Sequence, residues 1–152
     1  GYVLRSSLTK KCTSSAMTTL SPDGVITGRV TGDKVLVFEG FMDFLSWISN
    51  VQQDTPEYDC CILNSVSNIE KALPWITAHK NIAAFMDNDQ AGRKTLDKII
   101  ENVPDEAGKV CVYDMAKLYE DYNDLNEKLS DELSSKSEHS STNTHKYGDN
   151  II

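Results

Sequence analysis

The chain has no cysteine pair at metal-binding spacing. Its four cysteines, Cys12, Cys60, Cys61 and Cys111, form no CxxC motif, and no histidine lies at a zinc-like interval from them. Cys60 and Cys111 fall in strand-like runs and read as buried apolar residues, a usage that fits a reducing cytoplasm. Long hydrophobic runs are missing as well. None approaches the roughly 20 residues of a membrane helix, and no signal-peptide pattern opens the chain. The expectation is a cytoplasmic protein with no membrane partner.

Positive charge is scarce. Lys and Arg number 15 against 23 Asp and Glu, a net charge of −8. The deficit is uneven: residues 1–34 hold five basic and two acidic residues, and the remainder ten and 21. An acidic domain binds nucleic acid poorly unless divalent cations or a basic neighbour help. The basic N-terminal arm is either a phosphate contact or an ordinary solvated segment. The length of 152 residues and 39% hydrophobic content suit one domain with a short appendage.

The informative stretch runs from Ile82 to Lys94. An apolar run, Ile82-Ala83-Ala84-Phe85-Met86, breaks on Asp87-Asn88-Asp89 and passes into a helical pattern. Two carboxylates at i and i+2 in an extended turn can aim oxygens at one point, and oxygen-only ligands suit Mg²⁺ or Mn²⁺. Upstream, Val35-Leu36-Val37-Phe38 ends on Glu39-Gly40, and a helical pattern with Phe41, Phe44, Leu45 and Ile48 follows. In an open parallel sheet, ligand sites form at the carboxyl ends of strands. If these two strands are neighbours, Glu39, Asp87 and Asp89 converge. Each acid also has a structural reading: Asp89 as a helix N-cap, Asp43 as a favourable charge in a first helical turn. Like charges held together cost stability unless a cation or proton is shared.

These residues resemble a known family. Val37-Phe38-Glu39-Gly40-Phe41-Met42-Asp43-Phe44-Leu45-Ser46 is similar to the glutamate motif of Toprim domains, which occur in bacterial-type primases, topoisomerases and some nucleases. The segment from Phe85 to Lys94 resembles their DxD motif in its primase form, with the Ala-Gly-Arg-Lys continuation. Leu63-Asn64-Ser65-Val66-Ser67 sits where primases carry a short Ser/Gly/Thr turn. Asn123-Asp124-Leu125-Asn126-Glu127 is similar to the primase Lys-Asp-Pro-Asp/Asn-Glu segment, with Asn123 for the lysine, Leu125 for the proline and Asn126 at a position often held by a second aspartate. The four motifs occur in order over roughly residues 34 to 130. Primase-like Toprim proteins of bacterial mobile elements are nearest in character. Gly1-Tyr2-Val3-Leu4-Arg5 resembles the end of an upstream portion of such proteins, in which a zinc-binding domain usually precedes.

Read in order, residues 1–33 form a β-rich arm or the remnant of an upstream domain. Tyr2-Val3-Leu4 and Ala16 to Leu20 read as strands, Ser21-Pro22-Asp23-Gly24 as a turn, and Val25 to Val30 as the return of a hairpin. Residues 34–133 form the Toprim domain. Its pattern predicts strands at 35–39, 59–63, 81–86 and 109–113, and helices over about 41–52, 90–103 and 124–133. A further helix is opened by a capping box at Ser67-Asn68-Ile69-Glu70, with Ile69, Ala72, Leu73 and Ile76 on one face. The helix over 90–103 turns Ala91, Leu96, Ile99, Ile100 and Val103 inward. Leu118 and Tyr119 lie in a loop or short turn. Alternating strands and helices predict an α/β fold, a four-stranded parallel sheet with right-handed crossovers. Order 2-1-3-4 sets the first and third strands side by side, as the acidic cluster requires and the Toprim fold implies. Residues 134–152 read as a flexible polar tail, too poor in apolar groups to offset its ordering entropy; His139 and His145 belong to it.

The resemblance implies metal-dependent nucleotidyl transfer of primase type, in replication or mobilisation of a mobile element. Asp87 and Asp89 would hold one or two Mg²⁺ or Mn²⁺ ions, and Asp124 a second ion directly or through water. Glu39 is a further metal ligand or the general acid/base toward a 3′-hydroxyl. Arg93 and Lys94 would contact phosphate, unless Arg93 pairs with the acids. Asp43 supports Glu39 or another neighbour. The partners implied are a single-stranded DNA template, nucleotides, and an upstream zinc-binding primase subdomain; without the latter the domain is expected to be inactive. The alternatives are a Toprim nuclease that hydrolyses phosphodiesters and a non-catalytic module that binds metal or nucleic acid. A topoisomerase fits less well, because its tyrosine nucleophile comes from another domain. A receiver domain carries an acidic pair after its first strand and one aspartate after its third, the reverse of what stands here.

Overall fold

The computed structural model describes residues 3–5, 10–12, 17–104 and 109–142. Through Asn50 the elements are β1 (Val3–Arg5), β2 (Lys10–Cys12), β3 (Thr18–Leu20), β4 (Lys34–Phe38) and α1 (Phe41–Asn50). Then come β5 (Asp59–Ile62), a 3₁₀ turn (Val66–Asn68), α2 (Ile69–Ile76), β6 (Asn81–Phe85) and α3 (Gln90–Glu101). The described chain closes with β7 (Cys111–Asp114), a 3₁₀ helix (Met115–Tyr119) and α4 (Leu125–Thr142). The readings for Gly1, Tyr2, Ala16 and residues 143–152 lie outside the described residues.

The apolar runs of β4 and β6 are buried from end to end after their first residue, as central parallel strands must be. Alternation divides their side chains between two layers. Val35, Val37, Ile82, Ala84 and Met86 pack with Ile69, Ala72, Leu73 and Ile76 of α2 and Ile99 of α3. Leu36, Phe38, Ala83 and Phe85 pack on the other side with Phe44 of α1, Tyr119 and Leu125 of α4. Phe38 anchors the second layer: its ring stacks on Phe85 at 4.7 Å and meets Phe44 at 5.6 Å. Truncating such a ring to Ala typically costs about 3–5 kcal/mol.

The four parallel strands stand in the order β5-β4-β6-β7, the 2-1-3-4 order expected, and β3 adds an antiparallel strand beside β5. The sheet is therefore mixed and five-stranded. The arm's residues 18–20 cover an edge of the core that would otherwise offer unpaired backbone groups. The hairpin expected over Val25 to Val30 is reduced to one bridge, Leu20 with Ile26, and a bond from Thr27 N to Thr19 O at 3.0 Å. Val25, Ile26 and Val30 are exposed, so no buried face extends the pairing. The turn before it forms as predicted: Gly24 N donates to Ser21 O at 2.8 Å, with Gly24 at φ +78.

Other corrections are local. The capping box at Ser67 does not form. Ser65 caps the 3₁₀ turn instead, accepting from Ser67 N, and α2 continues from that turn without a side-chain cap. The inward stripe of α3 is Gly92, Thr95 and Ile99, with Leu96 and Val103 partly buried against the core; Ala91 and Ile100 are exposed. β7 begins two residues later than expected, and Cys111 on this edge strand is exposed, while Cys60 and Cys61 are buried. α4 runs on to Thr142, past the expected end near 133. No helix is long and apolar enough to cross a membrane among the described residues.

Candidate functional site

Parallel pairing of β4 with β6 sets Phe38 beside Phe85, so the chain leaves both strands at one level. Glu39 is the next residue on one side, and Asp87 follows Met86 on the other. Glu39 N donates to Phe85 O at 3.1 Å. In return, Asp87 N donates to the Glu39 carboxylate, Oε2, at 3.1 Å. The two acids predicted to converge are thus locked together by backbone at the carboxyl ends of adjacent strands.

Asp89 caps α3: its Oδ1 accepts from Gly92 N at 2.8 Å. Asp124 caps α4 in the same way, accepting from Glu127 N at 2.7 Å, while Glu127 Oε2 accepts from Asn123 N at 2.8 Å. Each commits one carboxylate oxygen to its helix. Asp43 is buried and accepts from Asn126 N at 3.1 Å, tying α1 to the start of α4; Ser46 donates to Asn126 Oδ1 at 2.9 Å. Gly40 makes room for this fold-back, because a Cβ there would lie 2.7 Å from Asp43 Oδ2. Arg93 and Lys94 are exposed in the first turn of α3. Among the described residues neither forms an ion pair, so the pairing of Arg93 with the acids is not seen.

Electrostatics mark Asp87 as the centre. Burial first, then the charges of Glu39, Asp43, Asp124 and Asp89, push its carboxyl up to about 7. Four carboxylates therefore act on a fifth, an arrangement that favours a shared proton or cation. Tyr119 is raised too, by burial and then by Asp43, Asp87, Asp114 and Asp124. Its hydroxyl donates to Met86 O at 2.9 Å.

Sequence reasoning passed over three residues that build this cluster. Asn88 N donates to Asn123 O at 2.7 Å, and its Nδ2 lies 2.9 Å from both Tyr119 O and Tyr122 O. It pins the Asp124 segment to the Asp87–Asp89 turn. Tyr119 holds the same turn from below. Gly92 lets α3 approach: a Cβ there would stand 2.1 Å from Asp87 O. The only sequence signal for Gly92 was its place in the Ala-Gly-Arg-Lys continuation.

The donor set is all oxygen and crowded with negative charge, which fits a hard divalent cation. Among the described residues no three acidic, histidine or cysteine groups are close enough to enclose an ion by themselves. An ion held here would fill its shell with water and phosphate oxygens, as Mg²⁺ commonly does.

The profile of the Toprim-like family matches residues 36–129. The chain belongs to the Toprim-like family. That span runs from inside β4 to inside α4 and contains Glu39, Asp43, Asp87, Asp89 and Asp124. Toprim domains in general bind divalent metal ions. No curated protein matches the chain. Among solved structures, the primase fragment of the bacteriophage T7 primase-helicase is similar at 26% identity and a TM-score of 0.47, covering 65% of this chain and 39% of that one. A second similar structure is of the bacteriophage T7 lagging-strand DNA polymerase with primase domains bound to an RNA/DNA hybrid and dTTP. It shows 20% identity and a TM-score of 0.45, covering 73% of this chain and 69% of that one. This Toprim chain thus spans well under half of the primase fragment.

Proposed function

We propose that this Toprim domain is of primase type and serves Mg²⁺- or Mn²⁺-dependent nucleotidyl transfer on DNA, in replication or mobilisation of a mobile element. The observation that carries the reading is the junction of Glu39 and Asp87, with Asp89 and Asp124 acting on the same point. Asp87 and Asp89 would hold one or two ions, and Asp124 a second directly or through water. A bound divalent ion supplies charge neutralisation for a triphosphate or phosphodiester. Glu39 is held by Asp87 N, which fixes one carboxylate oxygen; its role is a further ligand or the base toward a 3′-hydroxyl. Arg93 and Lys94, exposed and without acidic partners among the described residues, would receive phosphate oxygens. Asp43 and Asn88 position the cluster.

Polymerisation needs more than this cluster. A template must be gripped by positive charge, and the chain after residue 34 carries ten basic against 21 acidic residues. An upstream primase subdomain with its zinc site would supply that grip. The expected result is little primer synthesis by this chain alone, and weak single-stranded DNA binding that rises with Mg²⁺ or Mn²⁺. The test is an assay with labelled nucleotides on single-stranded DNA, using this chain and its Glu39→Gln variant. Robust synthesis by the unmodified chain, lost in the variant, would show the domain to be self-sufficient. Metal-dependent cleavage of the DNA without synthesis would replace the primase reading with a nuclease.

A further inference from the structure

A second concavity lies on the same sheet, away from the acids. It occupies the face shared with α1 and α4, from Lys34 and Asn81 at the start of β4 and β6 across to Phe85, Tyr113 and Met115. Register sets Lys34 beside Asn81 and, two residues on, places Tyr113 beside Ala83. The Lys34–Asn81 row and the Phe38–Phe85 row are separated by four residues, about 13 Å along the strands. The acids begin only beyond the second row. The cavity measures about 480 Å³.

Its walls are aromatic: Trp47 from α1, Tyr58 ahead of β5, Phe85 and Tyr113. Ala83 is small, so the space between the rings stays open. Tyr113 is 49% exposed on the edge strand, a large ring left at the rim rather than packed. Two polar groups converge there. Lys34 Nζ rests 4.1 Å over the Tyr58 ring, which holds its charge in place. Asn81 presents an amide, a group with both donor and acceptor atoms, and the Tyr113 hydroxyl reaches its Oδ1 at 3.5 Å. No carboxylate lines the cavity, and Lys34 forms no ion pair among the described residues. In a chain of net charge −8, this is a cationic, aromatic pocket.

We propose that this cavity binds a nucleobase carrying a phosphate. Aromatic walls stack a planar ring regardless of base identity. The Asn81 amide meets the base edge, and Lys34 meets the phosphate. An aliphatic ligand would use neither polar group, and a cationic one would be repelled by Lys34. The site needs no metal, so it is independent of the phosphoryl-transfer reading. The nucleotide is either free or part of a single strand.

The experiment uses intrinsic fluorescence. Trp75→Phe leaves Trp47 as the only tryptophan; Trp75 sits on the other face with its buried indole N–H unpartnered. AMP, adenosine and a short single-stranded oligodeoxyadenylate are titrated in EDTA. AMP is expected to change Trp47 emission saturably. Lys34→Ala should weaken AMP at least about tenfold, as loss of a charged contact does, and leave adenosine nearly unchanged. Tyr113→Ala should weaken both, while Tyr113→Phe retains binding; circular dichroism checks that each variant is folded. Asp87→Asn with Asp89→Asn should have no effect. Tighter binding of the oligonucleotide than of AMP would assign the source as single-stranded DNA, and the reverse a free nucleotide. Absence of a saturable change with every probe, or affinities indifferent to both Lys34→Ala and Tyr113→Ala, would overturn the proposal. Loss of binding in the double aspartate variant would place the nucleotide at the acids and overturn it as well.

Discussion

Asp87 concentrates the energetics of the site in one carboxyl group. Its folded pKa stands near 7, above the ordinary value of about 3.9 in an unfolded chain. The unfolded state therefore ionises first as pH rises, and stability falls between those two values. Replacing Asp87 by Asn removes the loss. The variant should be more stable than the parent at pH 8, by about 1–2 kcal/mol after allowance for solvent screening. At pH 3.5 it should match it. Urea unfolding at the two pH values checks this; an equal effect at both would deny the carboxylate repulsion. Gly92 makes a different claim. A Cβ at 2.1 Å from Asp87 O and 2.8 Å from Asp87 N cannot be accommodated without moving backbone. Gly92→Ala should cost at least about 2–3 kcal/mol, as overpacking does. A variant with parental stability would mean that α3 is not seated on the Asp87 turn. Glu39, Asp87 and Asp89 were legible in the sequence, because apolar run, acid and helix follow one another along the chain. Asn88 and Tyr119 were not. Their partners lie more than 30 residues away, and no local pattern announces a side chain that works across such a gap.

Among the elements, the ones that place the site were the readable ones. β4 and β6 are continuous apolar runs, and a strand buried on both faces needs such a run wherever it sits. The strand order followed from chemistry rather than periodicity: the acids meet only if β4 and β6 are neighbours. Edges were less legible. β3 is three residues long, and its role depends on β5 offering a free edge. Leu96, Ile99 and Val103 of α3 face the core as expected, but Ala91 and Ile100 do not, because Gly92 decides how the helix docks and a glycine adds nothing to a hydrophobic stripe. Cys111 was misjudged because β7 is an edge strand, exposed where a central strand would be buried. Past Leu125 and Leu129, which pack on the core, α4 shows that a polar sequence can stay helical in solvent: residues 130–136 are all exposed, and Lys128 pairs with Glu132 at 3.7 Å one turn on. We propose that residues from about 134 onward contribute nothing to stability. Limited proteolysis should trim them with the melting temperature unchanged, and strong protection of Ser140 to His145 would contradict this.

For the molecule as a whole, the fold gathers the carboxylates of Glu39, Asp43, Asp89 and Asp124 around Asp87 at one end of its sheet. We propose that the cost of this crowding persists because the cluster holds a divalent ion and the phosphates that come with it. A ligand that binds only the folded state stabilises it, by about 2.7 kcal/mol at 100 times its Kd. For a chain of this size that is roughly 5–10 °C in Tm. The decisive measurement is thermal unfolding with and without Mg²⁺ or Mn²⁺, for the parent and for Asp87→Asn with Asp89→Asn. The account predicts that the metal raises the parent's Tm, and that the double variant melts higher than the parent without metal and no longer responds to it. A metal response of the same size in the double variant would place the ion elsewhere and contradict the central claim.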